Sequence, residues 1–133
     1  TALTALMLGG IHPGHRAAVL NCRVRYFDPL TRRAGVPEDV AALVEELTPD
    51  GITLTLVNVN QSEPRSVIIQ AGGYAEHQFG SISTGDRTLA VNARELAVNL
   101  APGAGRRLKM EMKRYVNQPT MLFPWEPERL GKP

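Results

Sequence analysis

Cysteine occurs once, at Cys22, so no intrachain disulfide can form and nothing suggests a stapled secreted scaffold. An excess of charge of one sign is missing as well. Lys and Arg number 15 against 13 Asp and Glu, and although the pI is near 9.0, two surplus charges scattered along the chain do not make the clustered basic face that nucleic acid requires. The densest basic stretch, Arg106 to Arg114, alternates with Leu108, Met110 and Met112 and contains Glu111, which reads as the wet face of a strand. No run of about eighteen apolar residues exists to span a bilayer. The apolar Thr1 to Gly10 is short and lacks the charged start of a signal peptide. The expectation is a soluble domain whose compartment stays open, with the cytoplasm slightly favoured.

At 133 residues the chain has the size of one domain, able to bury a core of its own. Leu20 to Phe27 alternates, with Leu20, Cys22, Val24 and Tyr26 on one face and Asn21, Arg23 and Arg25 on the other, the period of a half-buried strand. Asp28-Pro29 ends it. One short helix is predicted over 37–47, with Pro37 in the first turn, Glu38 and Asp39 at its positive end, and Val40, Leu43, Val44 and Leu47 as an apolar stripe. From Gly51 the pattern is β throughout. Ile52 to Val59 reads as a central strand covered on both faces and pairs as a hairpin with Arg65 to Gln70. Tyr74 to Thr84 and Thr88 to Asn92 flank Gly85-Asp86, and Leu96 to Leu100 returns through Pro102-Gly103 as a second hairpin with Leu108 to Met112. Short strands with turn signals near every ten residues favour an antiparallel β-sandwich, Ig-like or of jelly-roll type, over a parallel α/β fold that would need a helix between strands. The domain covers 1–133. Its tail, 116–133, carries Pro119, Pro124, Pro127 and Pro133 together with Met121, Leu122, Phe123 and Trp125, and is expected to pack on the domain or on a partner.

Leu54-Thr55-Leu56-Val57-Asn58, then Pro64-Arg65-Ser66-Val67-Ile68-Ile69, then Leu96 to Gly103 and the returning Leu108 to Met112 together resemble the C-terminal β-sandwich domains appended to many bacterial carbohydrate-active enzymes. The likeness spans about Gly51 to Tyr115, and Arg23 to Pro29 with the predicted helix has no counterpart in it. The resemblance implies an accessory role, packed against a catalytic domain or subunit, in some cases completing a substrate cleft or an oligomer interface.

Residues able to carry chemistry are few. Glu76 and His77 sit next to each other on a predicted strand, so their side chains should point to opposite faces and not act on one atom; with Asp28 they are the catalytic candidates. His12, His15 and Cys22 lack zinc-site spacing, and no metal or cofactor is expected. The chain begins at Thr1, which fits a processed product or a piece of a longer polypeptide. An N-terminal Thr can serve as nucleophile with its own amine as base, yet no surrounding strand pattern supports that. The glycine pairs Gly9-Gly10 and Gly72-Gly73 are not followed by the Lys-Ser/Thr of a phosphate loop. Tyr74, Tyr115 and Trp125 could form a sugar-stacking platform, with Asn117 and Gln118 taking hydroxyls, against which stands ordinary core or interface packing. Three readings follow. The first is a non-catalytic accessory domain or subunit packed on a catalytic partner. The others are a carbohydrate-binding module and a subunit lending His77, Glu76 or Asp28 to a shared active site. A homo-oligomer fits any of the three; nucleic-acid and membrane partners are not expected.

Overall fold

The computed structural model describes residues 23–126. Nine strands run through them: β1 Val24–Asp28, β2 Arg33–Ala34, β3 Val40–Thr48, β4 Gly51–Asn58, β5 Arg65–Ala71, β6 Gln78–Thr84, β7 Arg87–Ala93, β8 Glu95–Leu100 and β9 Gly105–Lys113. They form a four-stranded sheet, β2-β1-β5-β8, and a five-stranded sheet, β3-β4-β9-β6-β7. Every pairing is antiparallel. Val67, Ile69 and Leu100 of one sheet meet Leu54, Leu56, Phe79, Leu108 and Met110 of the other in a single buried core, so the two sheets are a β-sandwich. Alternation explains the faces: in β9, Leu108, Met110 and Met112 are buried while Arg107, Lys109, Glu111 and Lys113 face water.

The expected helix over 37–47 is not present; no helix occurs among the described residues, so none there is long and apolar enough to cross a membrane. Those positions form β3, joined to β4 by the two-residue turn Pro49-Asp50. The apolar spacing misleads for a specific reason. The register slips between Val44 and Glu46, leaving Glu45 as an extra, bulged residue. Val40, Ala42 and Val44 share a face with Leu47, because the bulge restores the phase that three residues would otherwise lose. A helical i, i+4, i+7 pattern at Val40, Val44 and Leu47 is thus also one face of a bulged strand. Glu45 turns across the sheet, accepting a hydrogen bond from Thr55 Oγ1 and pairing with Arg107 at 2.9 Å. The Thr55 bond and then Arg107 hold its carboxyl below the ordinary range.

Both predicted hairpins are also overturned. β4 and β5 lie in different sheets, as do β8 and β9. Buried Asn58 explains the crossings. Its Nδ2 donates to the carbonyls of Glu63, Leu100 and Ala101 at 2.9, 3.3 and 3.3 Å, and its Oδ1 accepts from the Asn60 N–H. One side chain therefore holds both sheet-switching loops, and a second link runs from the Gly103 N–H to the Asn60 carbonyl. β4 is an interior strand, as expected: Ile52, Leu54 and Leu56 enter the core, and on the opposite face Thr53 is buried while Thr55 and Val57 are half-buried.

Candidate functional site

The link between β5 and β6 gathers most of the chemistry-bearing residues. Tyr74 to His77 form this loop, not a strand, so the expectation of opposite faces fails. Gly72, at φ +96°, lets the chain reverse beneath the side chains of Glu76 and His77. Ala75 and Tyr115 also hold positive φ, at 58° and 59°, a conformation that non-glycine residues adopt only when their surroundings enforce it. Both lie in this corner.

The enforcement is a hydrogen-bond network. Glu76 Oε1 accepts from the Tyr74 N–H at 2.8 Å, and His77 Nδ1 accepts from the Tyr115 N–H at 3.0 Å. Asn117 donates from its backbone to the Glu76 carbonyl and from Nδ2 to the His77 carbonyl, and the Thr120 N–H donates to the Tyr74 carbonyl. Residues 115–120 are thereby laced onto the loop. Behind it, Gln70 Nε2 donates to the carbonyls of Gly72 and Gly73, while its buried Oε1 has no hydrogen-bond partner among the described residues.

Because Nδ1 is an acceptor, the neutral His77 ring carries its proton on Nε2, which faces Glu76 Oε2 at 3.9 Å, beyond a hydrogen bond. Burial pushes the His77 pKa down, Glu76 opposes that, and Arg114 and Arg23 add to it, so the imidazole is held neutral. The Tyr115 ring stands edge-on to it, with the Arg114 guanidinium over the Tyr115 face. Glu76 is 6% exposed and His77 2%. The pair has almost no surface to offer a substrate, and one polar atom of each, Glu76 Oε1 and His77 Nδ1, is committed to the backbone of Tyr74 and Tyr115.

The other candidates lie elsewhere. Asp28 is at the opposite end of β1, where its carboxylate accepts from the N–H groups of Leu30 and Thr31 and from Thr31 Oγ1, which closes a turn. Trp125 packs with Phe27 and Phe123, the three rings meeting at interplanar angles of 56° to 90°. It shares no platform with Tyr74 or Tyr115. Gln118 is exposed. His12, His15, Cys22 and Thr1 fall outside the described residues, among which no group of three His, Cys, Asp or Glu could hold a metal.

The sequence reading missed two features. Gln70 and its orphan oxygen were hidden in a strand read only for its apolar residues. The second is a shallow depression of about 440 Å³ on the outer face of the five-stranded sheet, lined by Thr53, Ser81, Ser83, Thr88, Lys109 and Glu111 among others. Its signal was available as the polar half of each alternating strand, Ser81 and Ser83 in β6, Lys109 and Glu111 in β9.

The fold and this corner define a two-sheet antiparallel sandwich whose candidate acid and base are sealed within a structural network. No protein-family model, curated protein or solved structure matches the chain.

Proposed function

We propose that this chain is a non-catalytic accessory or assembly domain that packs against the catalytic part of a carbohydrate-active enzyme. The observation carrying the reading is the fate of Glu76 and His77. Catalytic groups need access to the reacting atom, and these two are buried, with Glu76 Oε1 bonded to the Tyr74 N–H and His77 Nδ1 to the Tyr115 N–H. Beside exposed Gln118, this stretch presents large apolar side chains outward: Tyr115, Val116 and Met121 are 66%, 52% and 80% exposed. Large apolar side chains on a rigidly anchored segment suit a docking rim. The carbohydrate-active partner rests on the resemblance over Gly51 to Tyr115 alone. Native mass spectrometry of material from the source organism tests the reading. A longer polypeptide or a second, catalytic subunit is expected; a lone particle of 14.5 kDa would overturn it.

The depression on the five-stranded sheet favours a second reading, carbohydrate binding by the domain itself. Hydroxyls of Ser81, Ser83 and Thr88 beside Lys109 and Glu111 offer the donors and acceptors that sugar hydroxyls need, though no aromatic face is among them. Titration with oligosaccharides should then shift the amide resonances of Ser81, Ser83 and Thr88, not those of Tyr115 and Trp125.

A further inference from the structure

One anchor of residues 115–120 differs in kind from the others. Asn117 and Thr120 donate to the backbone carbonyls of Glu76, His77 and Tyr74, acceptors that pH does not alter. Tyr115 instead donates its N–H to Nδ1 of His77, which accepts while the ring is neutral and not once it is protonated. A proton on Nδ1 sets two N–H donors against each other across 3.0 Å.

The surroundings of the ring do little to absorb that charge. Glu76 faces Nε2 at 3.9 Å, and its other oxygen is taken by the Tyr74 N–H. The remaining charged groups acting on the ring, among the described residues, are cations. Arg23, ahead of β1, is tied to the Thr48 carbonyl, and Arg114, after β9, lies over the Tyr115 ring that stands edge-on to the imidazole. A buried imidazolium needs an acceptor or water at Nδ1, and the group to be displaced there is the Tyr115 N–H.

The segment itself yields easily. Tyr115 sits at φ 59°, a conformation that its bond to His77 helps to hold. Tyr115, Val116, Gln118 and Pro119 are exposed, so little apolar burial resists a local opening. On either side the chain is fixed, by β9 up to Lys113 and by the packing of Phe123 and Trp125 on Phe27.

We propose that residues 115–120 form an acid-released strap: protonation of His77 at Nδ1 ejects the Tyr115 N–H and lifts the segment from the Tyr74 to His77 loop while the sandwich stays folded. Lifting moves Tyr115 and Val116 out of their fixed places, so a partner seated on them at neutral pH is let go in acid. That consequence rests on the docking reading; the opening is a property of the chain alone.

Hydrogen exchange of the isolated full chain, read by NMR from pH 5 to 8, tests the opening. Protection factors, which remove the intrinsic pH dependence of exchange, should fall at Tyr115, Asn117 and Thr120 by up to about tenfold per pH unit below 6.5, the slope that one proton gives, while those of buried Leu54 and Met110 hold. His77→Asn sets an amide oxygen near the place of Nδ1 with nothing to titrate, and should keep the three amides protected throughout. Protection at these amides that ignores pH, or that falls together with Leu54 and Met110, would overturn the proposal in the wild-type chain, whether or not the variant folds. So would the same fall in a folded His77→Asn chain. Failure to find a partner by native mass spectrometry would remove the docking reading and leave this result unchanged.

Discussion

His77 ties acidity to stability through a single nitrogen. Unfolded, the side chain titrates near its ordinary value of 6.5; folded, burial first and the two arginines next hold it lower. Between those two values the unfolded chain binds more protons than the folded one, so stability rises with pH across the window, is complete above 6.5 and falls as pH drops toward the folded value. Protonation also removes the acceptor at Nδ1 that the Tyr115 N–H requires. Urea midpoints measured from pH 5 to 8 should therefore climb and level off, and His77→Gln should flatten the climb; an unchanged slope in that variant would mean that another group sets it. Asn58 is a different case, since its amide does not titrate and its value lies in the number of bonds it satisfies. Asn58→Ala leaves the buried ends of two loops without a partner and should cost about 3 kcal/mol, read as a lowered denaturation midpoint with an unchanged m-value.

β9 was legible because one of its faces meets water and the alternation is written into its side chains; β1, β6 and β7 were legible through their punctuation, since β1 ends at Asp28 as the following proline requires and β6 and β7 flank Gly85-Asp86. β3 was not legible as a strand. Its bulge at Glu45 shifts the apolar phase by one residue, and a strand so shifted carries the spacing of a helix. The sheet-switching loops were hidden for another reason: a turn signal says that the chain bends, not whether it returns to the same sheet or crosses to the other. Of the candidate site, the residue types Glu76, His77, Tyr115 and Asn117 could be picked out, but their meeting depends on Gly72 reversing the chain and on a tail some forty positions away, as the 38-residue separation of His77 and Tyr115 shows. Gly72→Ala tests that hinge. An added Cβ runs into the Glu76 carboxylate at a φ that alanine disfavours, so a loss of about 2 kcal/mol or more is expected in thermal or urea unfolding, together with release of the amide protection at Tyr115 and Thr120.

The tail binds the sandwich at two places, the corner at His77 and the aromatic cluster on Phe27. Trp125 closes the second, so Trp125→Ala should cost about 3 kcal/mol as an intramolecular packing loss, visible in isolated protein without any partner. A much smaller change would mean that the tail's anchor is the corner alone. The order of strands has a further consequence, for the making of the protein. Gly51 pairs with Glu111, and Ile68 with Ala97, so the interior of each sheet is closed by residues far apart along the chain. Such non-local pairing gives a high contact order, and refolding is expected on the ms to s timescale of all-β sandwiches rather than in microseconds. On the ribosome, β4 must wait with one side unpaired until β9 emerges, so a nascent chain stopped before Gly105 should be sensitive to protease where one extended past Glu126 is resistant.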